Sequence, residues 1–79
     1  MSLKAGVRAW RVNAAGITSI VFSLSRNRAK FRAYRAAMEA GFKLSLGEIK
    51  ARRAPEYDKL IGDYTHNVCL TESYLKDKI

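Results

Sequence analysis

The sequence predicts a single small α+β domain: a β-hairpin, one main helix and a third strand make a sheet packed against that helix, with a short C-terminal helix. Three observations predict it. Apolar and polar positions alternate through two adjacent segments within residues 7–24, as half-buried strands require. Alanines then recur at helical spacing through residues 26–40, with Ser25 before them and Gly41 after. The chain has 79 residues, enough for one core and too few for two domains.

In the first strand Trp10 and Val12 share a face with Arg8, while Val7, Ala9 and Arg11 take the other. Asn13-Ala14-Ala15-Gly16 supplies turn residues, and residues 18–24 form a second strand with Ile20, Phe22 and Leu24 on one face. Ser25 is placed to cap the following helix, because its hydroxyl can accept from an N–H of the first turn that has no partner inside the helix. Gly41 stands where the chain needs a left-handed residue to leave that helix. Ala29, Ala33, Ala36, Ala37 and Ala40 form a strip of small side chains along it, flanked by Phe31, Tyr34 and Met38, which lets the helix approach a sheet closely. Arg28, Arg32 and Arg35 fall within a narrow arc away from that strip, with Glu39 at its end.

Phe42, Leu44 and Leu46 alternate with polar or small residues, a pattern that fits an extended segment or the approach to a short helical turn. Residues 47–54 predict the third strand, with Ile49 and Ala51 inward and Lys50 and Arg52 outward, stopped by Pro55, which cannot donate to a ladder. Pro55-Glu56-Tyr57-Asp58 has the composition of a helix first turn, in a helix ending near Gly62. Residues 64–70 then suit a short strand, and Thr71 can cap a last turn through Leu75. The expected sheet has three strands, antiparallel or mixed, with one face covered by the 26–40 helix and the C-terminal segment. Its core would hold Trp10, Val12, Ile20, Phe22, Leu24, Ala33, Ala37, Met38, Phe42, Leu46, Ile49 and Leu60.

Charge is segregated along the chain. Residues 1–38 hold Lys4, Arg8, Arg11, Arg26, Arg28, Lys30, Arg32 and Arg35 and no acid, so they carry the whole net charge of +8, while residues 39–79 balance seven bases against seven acids. An acid-free, arginine-rich N-terminal half also describes an organelle transit peptide, but the hairpin within residues 7–24 is too large a part of so small a core to be removed. The expected anion-binding residues are therefore Arg8, Arg11, Arg28, Lys30, Arg32 and Arg35, because each guanidinium offers a planar fork of donors that matches phosphate oxygens. Trp10 is a weaker candidate for base stacking than for the core. In Arg52-Arg53 the acids that follow point to local salt bridging.

Other chemistries are not expected. His66 and Cys69 are three apart, a spacing that can place two ligands on one metal, but they are the only histidine and the only cysteine, short of the set zinc takes. No nucleophile signature surrounds Cys69, and no glycine loop is spaced to cradle phosphate, so neither an enzyme nor a bound cofactor is expected. A single cysteine forms no disulfide within the chain and fits a reducing cytoplasm. The apolar stretch at residues 16–24 is far shorter than the ~20 residues that span a bilayer, so no membrane partner is expected.

The run from Ser25 through Tyr34, with Ala36-Ala37-Met38-Glu39-Ala40-Gly41-Phe42 and the Ile49 to Asp58 segment, resembles small phage- and prophage-encoded proteins over residues 17–58. The resemblance implies a strand leading into a helix, then a crossover to a basic strand, and a bacterial host cell as the setting; it brings no functional residues. Two function classes follow. One is a non-enzymatic accessory protein that binds nucleic acid through its basic helix face, and sequence-independently, since no helix-turn-helix, zinc-finger or RNA-recognition signature is present. The other is an interaction module or inhibitor that occupies an acidic host protein. A structural homodimer built through an exposed edge strand is a third reading, since a core this small rarely leaves more than ~3–5 kcal/mol of net stability.

Overall fold

A computed structural model describes residues 6–63 and 69–78. Strand β1 (Arg8–Ala14) turns directly into β2 (Ile17–Ser23), and the main helix α1 (Arg26–Glu39) follows. A 3-10 turn (Leu46–Glu48) leads into β3 (Lys50–Arg53), a 3-10 helix (Pro55–Leu60) leaves it, and β4 (Cys69–Thr71) runs into α2 (Glu72–Lys76). The α+β class with a main helix and a short C-terminal helix is as the sequence predicts. The sheet differs in having four strands in the order β3-β1-β2-β4, every pair antiparallel. Within the 64–70 segment, β4 begins at Cys69 and residues 64–68 lie outside the described residues.

The hairpin turn is tight because Ala14 pairs with Ile17, leaving only Ala15 and Gly16 to reverse the chain. Both have positive φ, 55° and 77°, the combination a type I′ turn needs to match the twist of its strands. Gly16 takes this conformation freely, whereas Ala15 has a Cβ that crowds the following carbonyl. Ala15→Asn should therefore raise stability by about 0.5–1 kcal/mol. In a thermal melt that is a rise in Tm of roughly 2–8 °C, and an unchanged Tm would show that the turn bears no strain.

Both ends of α1 are as the sequence marks them. The Arg28 N–H donates to the Ser25 hydroxyl at 3.2 Å. At the other end Gly41, at φ 97°, lets its own N–H reach the Met38 carbonyl and the Phe42 N–H reach the Ala37 carbonyl, each at 3.0 Å. These two bonds are a Schellman motif, and they satisfy carbonyls the helix would otherwise leave open. The segment after Gly41 is the approach to a helical turn: Leu46–Glu48 is a 3-10 turn, held by the Glu48 carboxylate, which accepts from the Ser45 N–H at 2.9 Å. Thr71 precedes α2, but its hydroxyl makes no capping bond.

The sheet is covered on both faces, not one. Val12, Ala14 and Val21 meet Ala29 and Ala33 of α1, with Ile49 completing that core. On the opposite face Val7, Ala9, Ile20 and Phe22 meet Tyr57 and Leu60 of the 3-10 helix and Leu75 of α2. Strand β2 is thus buried on both sides, through four consecutive residues from Ile20 to Ser23. Of the expected core, Leu24, Met38, Phe42 and Leu46 are exposed, and Trp10 and Ala37 are half-buried. The physical reason for Met38 is that Ala29 and Ala33, with Tyr34 beside them, make the contact of α1 with the core, and Met38 lies on the opposite side of the helix. Trp10 lies at the sheet's edge pair with Arg53, where its indole N–H donates to the Ser23 carbonyl at 3.1 Å and its ring lies 5.5 Å from the Arg53 guanidinium. These contacts make it a structural tryptophan.

Candidate polyanion-binding surface

The carboxylates that pair with strand arginines come from one of the two layers that cover the sheet. All seven acids are among the described residues, and Glu56, Asp58 and Glu72 sit in the layer of the 3-10 helix and α2. There they neutralise strand arginines. The Arg11 guanidinium donates to both Glu72 oxygens, at 3.1 and 2.8 Å, and to Glu56. Tyr57 donates its hydroxyl to the same Glu72 at 3.0 Å. Arg53 forks onto Asp58 at 3.2 and 2.6 Å, the local pairing that the acids after it predict.

The pKa directions follow from these contacts. Hydrogen bonds from Arg11 hold the Glu72 and Glu56 carboxyls below the usual carboxylate range. Burial pushes the Tyr57 phenol up, and the neighbouring Glu72 carboxylate adds to the rise. The Arg11 guanidinium is itself pushed higher still by Glu72 and Glu56, so it stays charged at every relevant pH.

The α1 layer has no such neutralisation. Arg26, Arg28, Lys30, Arg32 and Arg35 stand on this helix against one acid, Glu39, at its last position. Among the described residues, Arg28, Lys30 and Arg35 have no ion-pair partner. Arg28 and Arg35 are exposed and Arg32 is half-buried on the same flank, while Lys30 lies on the other flank.

The outermost line of the helix, between the two flanks, is apolar. Phe31 lies about 160–200° around the helix from Ala29 and Ala33, at ~100° per residue, and it is 52% exposed. Met38 extends this line at 44% exposed. Phe31 stacks on Tyr34, ring centroids 6.2 Å apart and planes 24° from parallel, and Tyr34 in turn packs toward the core.

The six residues expected to bind anions are therefore not one patch. Arg28, Lys30, Arg32 and Arg35 share the helix. Arg8 begins β1 on the same side of the sheet, opposite Ser23, and donates to the Val7 carbonyl at 3.1 Å. Arg11 points to the opposite layer, where its charge is neutralised within the fold. Its partner Glu72 is 61 residues away in sequence, so no local pattern signals the pair.

Beside Arg11, in the part of that sheet face left uncovered, Asn13, Thr18, Lys50 and Arg52 line a shallow concavity of about 290 Å³. The register brings them together: Asn13 lies opposite both Thr18 and Lys50, and Arg11 opposite Arg52. Among the described residues there is no group of three or more histidine, cysteine or carboxylate side chains that could hold a metal, and His66 lies outside them. No described helix is long and apolar enough to cross a membrane. The chain matches no family model, no curated protein and no solved structure.

Proposed function

We propose that this is a small non-enzymatic binding protein that holds nucleic acid against α1 through contacts to the phosphate backbone, independently of base sequence. The observation that supports it best is the set of unpaired cations on α1: carboxylates of the 3-10 helix and α2 neutralise Arg11 and Arg53, whereas Arg28, Lys30 and Arg35 have no ion-pair partner among the described residues. A face on which five cations outnumber the single acid Glu39 raises the local concentration of a polyanion and meets its phosphates with guanidinium forks. A solvated face that serves only solubility would be expected to intersperse both signs. The setting in a phage or prophage, with a bacterial cytoplasm as the place of action, belongs to this reading through the resemblance over residues 17–58.

Fluorescence anisotropy of labelled oligonucleotides over a salt series tests it. Three phosphate contacts predict a slope of log K against log salt of about −2 for a single strand and about −2.7 for a duplex. Replacing Arg28, Lys30 and Arg35 by alanine should flatten that slope toward zero and leave the circular-dichroism spectrum unchanged, since all three lie away from the core. Absence of binding to any polyanion at low salt would discard the reading in favour of an acidic protein partner, for which exposed Phe31 and Met38 would be the anchors.

A further inference from the structure

Resting on that reading, we infer that the α1 surface selects single-stranded over duplex nucleic acid, by stacking an unpaired base on Phe31. Phosphate contacts alone do not distinguish the two forms, so the selectivity must come from what lies between the cations. On α1 that is an aromatic ring. Phe31 is half-exposed at the crest of the helix, with Arg28 three residues before it and Arg35 four residues after, both neighbours of Phe31 on the helix surface. Tyr34 and Lys30 occupy the other side of the crest. Cations thus flank the ring on both sides, which matches a strand whose phosphates run along one edge while its bases turn inward.

The ring is also set for stacking. Tyr34 packs toward the core and lies against Phe31 with planes 24° from parallel, so the pair is oriented and its outer ring, Phe31, is the more open to a base. A base in a duplex is already stacked on both sides and cannot reach a ring that stands on a helix crest, whereas an unpaired base offers a free π-face. Ala29 and Ala33 are the buried residues of α1, and the contact of Phe31 with the fold is its stacking on Tyr34. The arginines beside it carry positive charge, which disfavours a second copy of this helix as the partner. A purely apolar groove in another protein would be a poor match to the same cations.

The test compares anisotropy of a labelled pyrimidine single strand and a duplex of equal length, with heparin as a polyanion that has no bases. The proteins are the wild type, Phe31→Ala and Phe31→Trp. Wild type should bind the single strand more tightly than the duplex. Phe31→Ala should weaken single-strand binding by about tenfold and leave duplex and heparin binding unchanged, with Phe31→Trp restoring or exceeding the wild-type affinity. The ring is 52% exposed, so its removal leaves the fold intact, as circular dichroism would verify. Equal affinity for single strand and duplex, or an unchanged single-strand affinity in Phe31→Ala, overturns the stacking role while charge-driven binding stands. Failure of wild type to bind heparin or either oligonucleotide overturns both.

Discussion

Phe22→Ala is expected to leave the protein unfolded at room temperature. Phe22 is 1% exposed and occupies the centre of the core between the sheet and the layer of the 3-10 helix and α2, with Tyr57, Leu60 and Leu75 in the same cluster. Emptying such a site removes the transfer free energy of the ring and leaves a cavity, about 3–5 kcal/mol in all. A single core in a chain of 79 residues rarely supplies more than ~3–5 kcal/mol of net stability, so the loss is comparable with the whole. Circular dichroism at 25 °C should show no cooperative urea transition for this variant. Phe22→Leu, which keeps most of the volume, should retain a transition at a lower midpoint. A folded Phe22→Ala with a midpoint near that of wild type would mean that the two layers hold together without this contact.

The position of Phe22 was legible from the sequence, but the double-sidedness of its strand was not. Alternation within residues 18–24 places Ile20 and Phe22 on one face, where they are found, and leaves Val21 on a face assumed to be open. A continuous run of Ile20, Val21 and Phe22 is also what a strand covered on both sides looks like. Choosing that alternative requires a second layer, and the layer is built from pieces too short for periodicity to mark: a six-residue 3-10 helix and a five-residue helix. The caps of α1 were legible because Ser25 and Gly41 act locally, through bonds to residues three to five positions away.

The same distinction explains the site. The arginine arc on α1 depends only on helical spacing, and the fold keeps it. Arg11 looked equivalent in sequence because its carboxylates come from Glu56 and Glu72, distant in the chain. By sequence Met38 belongs in the core beside the alanine strip, but Ala29 and Ala33 face the sheet and turn a side chain on the opposite crest outward. Phe31, on the same crest, is the residue on which the proposed single-strand selectivity rests. Arg28 and Arg35 would bring a strand to the helix, and Phe31 would decide which strand stays.

Asp58→Ala is expected to cost about 2–4 kcal/mol, because Asp58 stands in for a missing strand residue. Strand β3 ends at Arg53; the Ala54 N–H still donates to the Ala9 carbonyl at 3.0 Å, and then Pro55 turns the chain away into its 3-10 helix. The Ala9 N–H, on the same side of β1 and in a residue with no exposed surface, would be left without a strand carbonyl. The Asp58 carboxylate accepts it at 2.8 Å and takes the Arg53 fork at the same time. Burial pulls the Asp58 pKa up, but the Arg53 fork and the Ala9 N–H outweigh that and hold it below its ordinary value. A carboxyl whose pKa is lower folded than unfolded stabilises the fold above the unfolded value and loses that contribution as pH falls through the folded one. The Glu72 and Glu56 carboxyls shift in the same direction, so wild type should lose stability on acidification from about pH 4.5 downward. Asp58→Ala should show a shallower loss over that window, and Asp58→Asn, which keeps an acceptor for Ala9 but not the charged fork, should cost only about 1 kcal/mol at neutral pH. Urea titrations at pH 7 and across the acid range measure both quantities. Hydrogen exchange at the Ala9 amide should accelerate in Asp58→Ala and stay near wild type in Asp58→Asn; equal exchange in all three proteins would show that this amide has another acceptor.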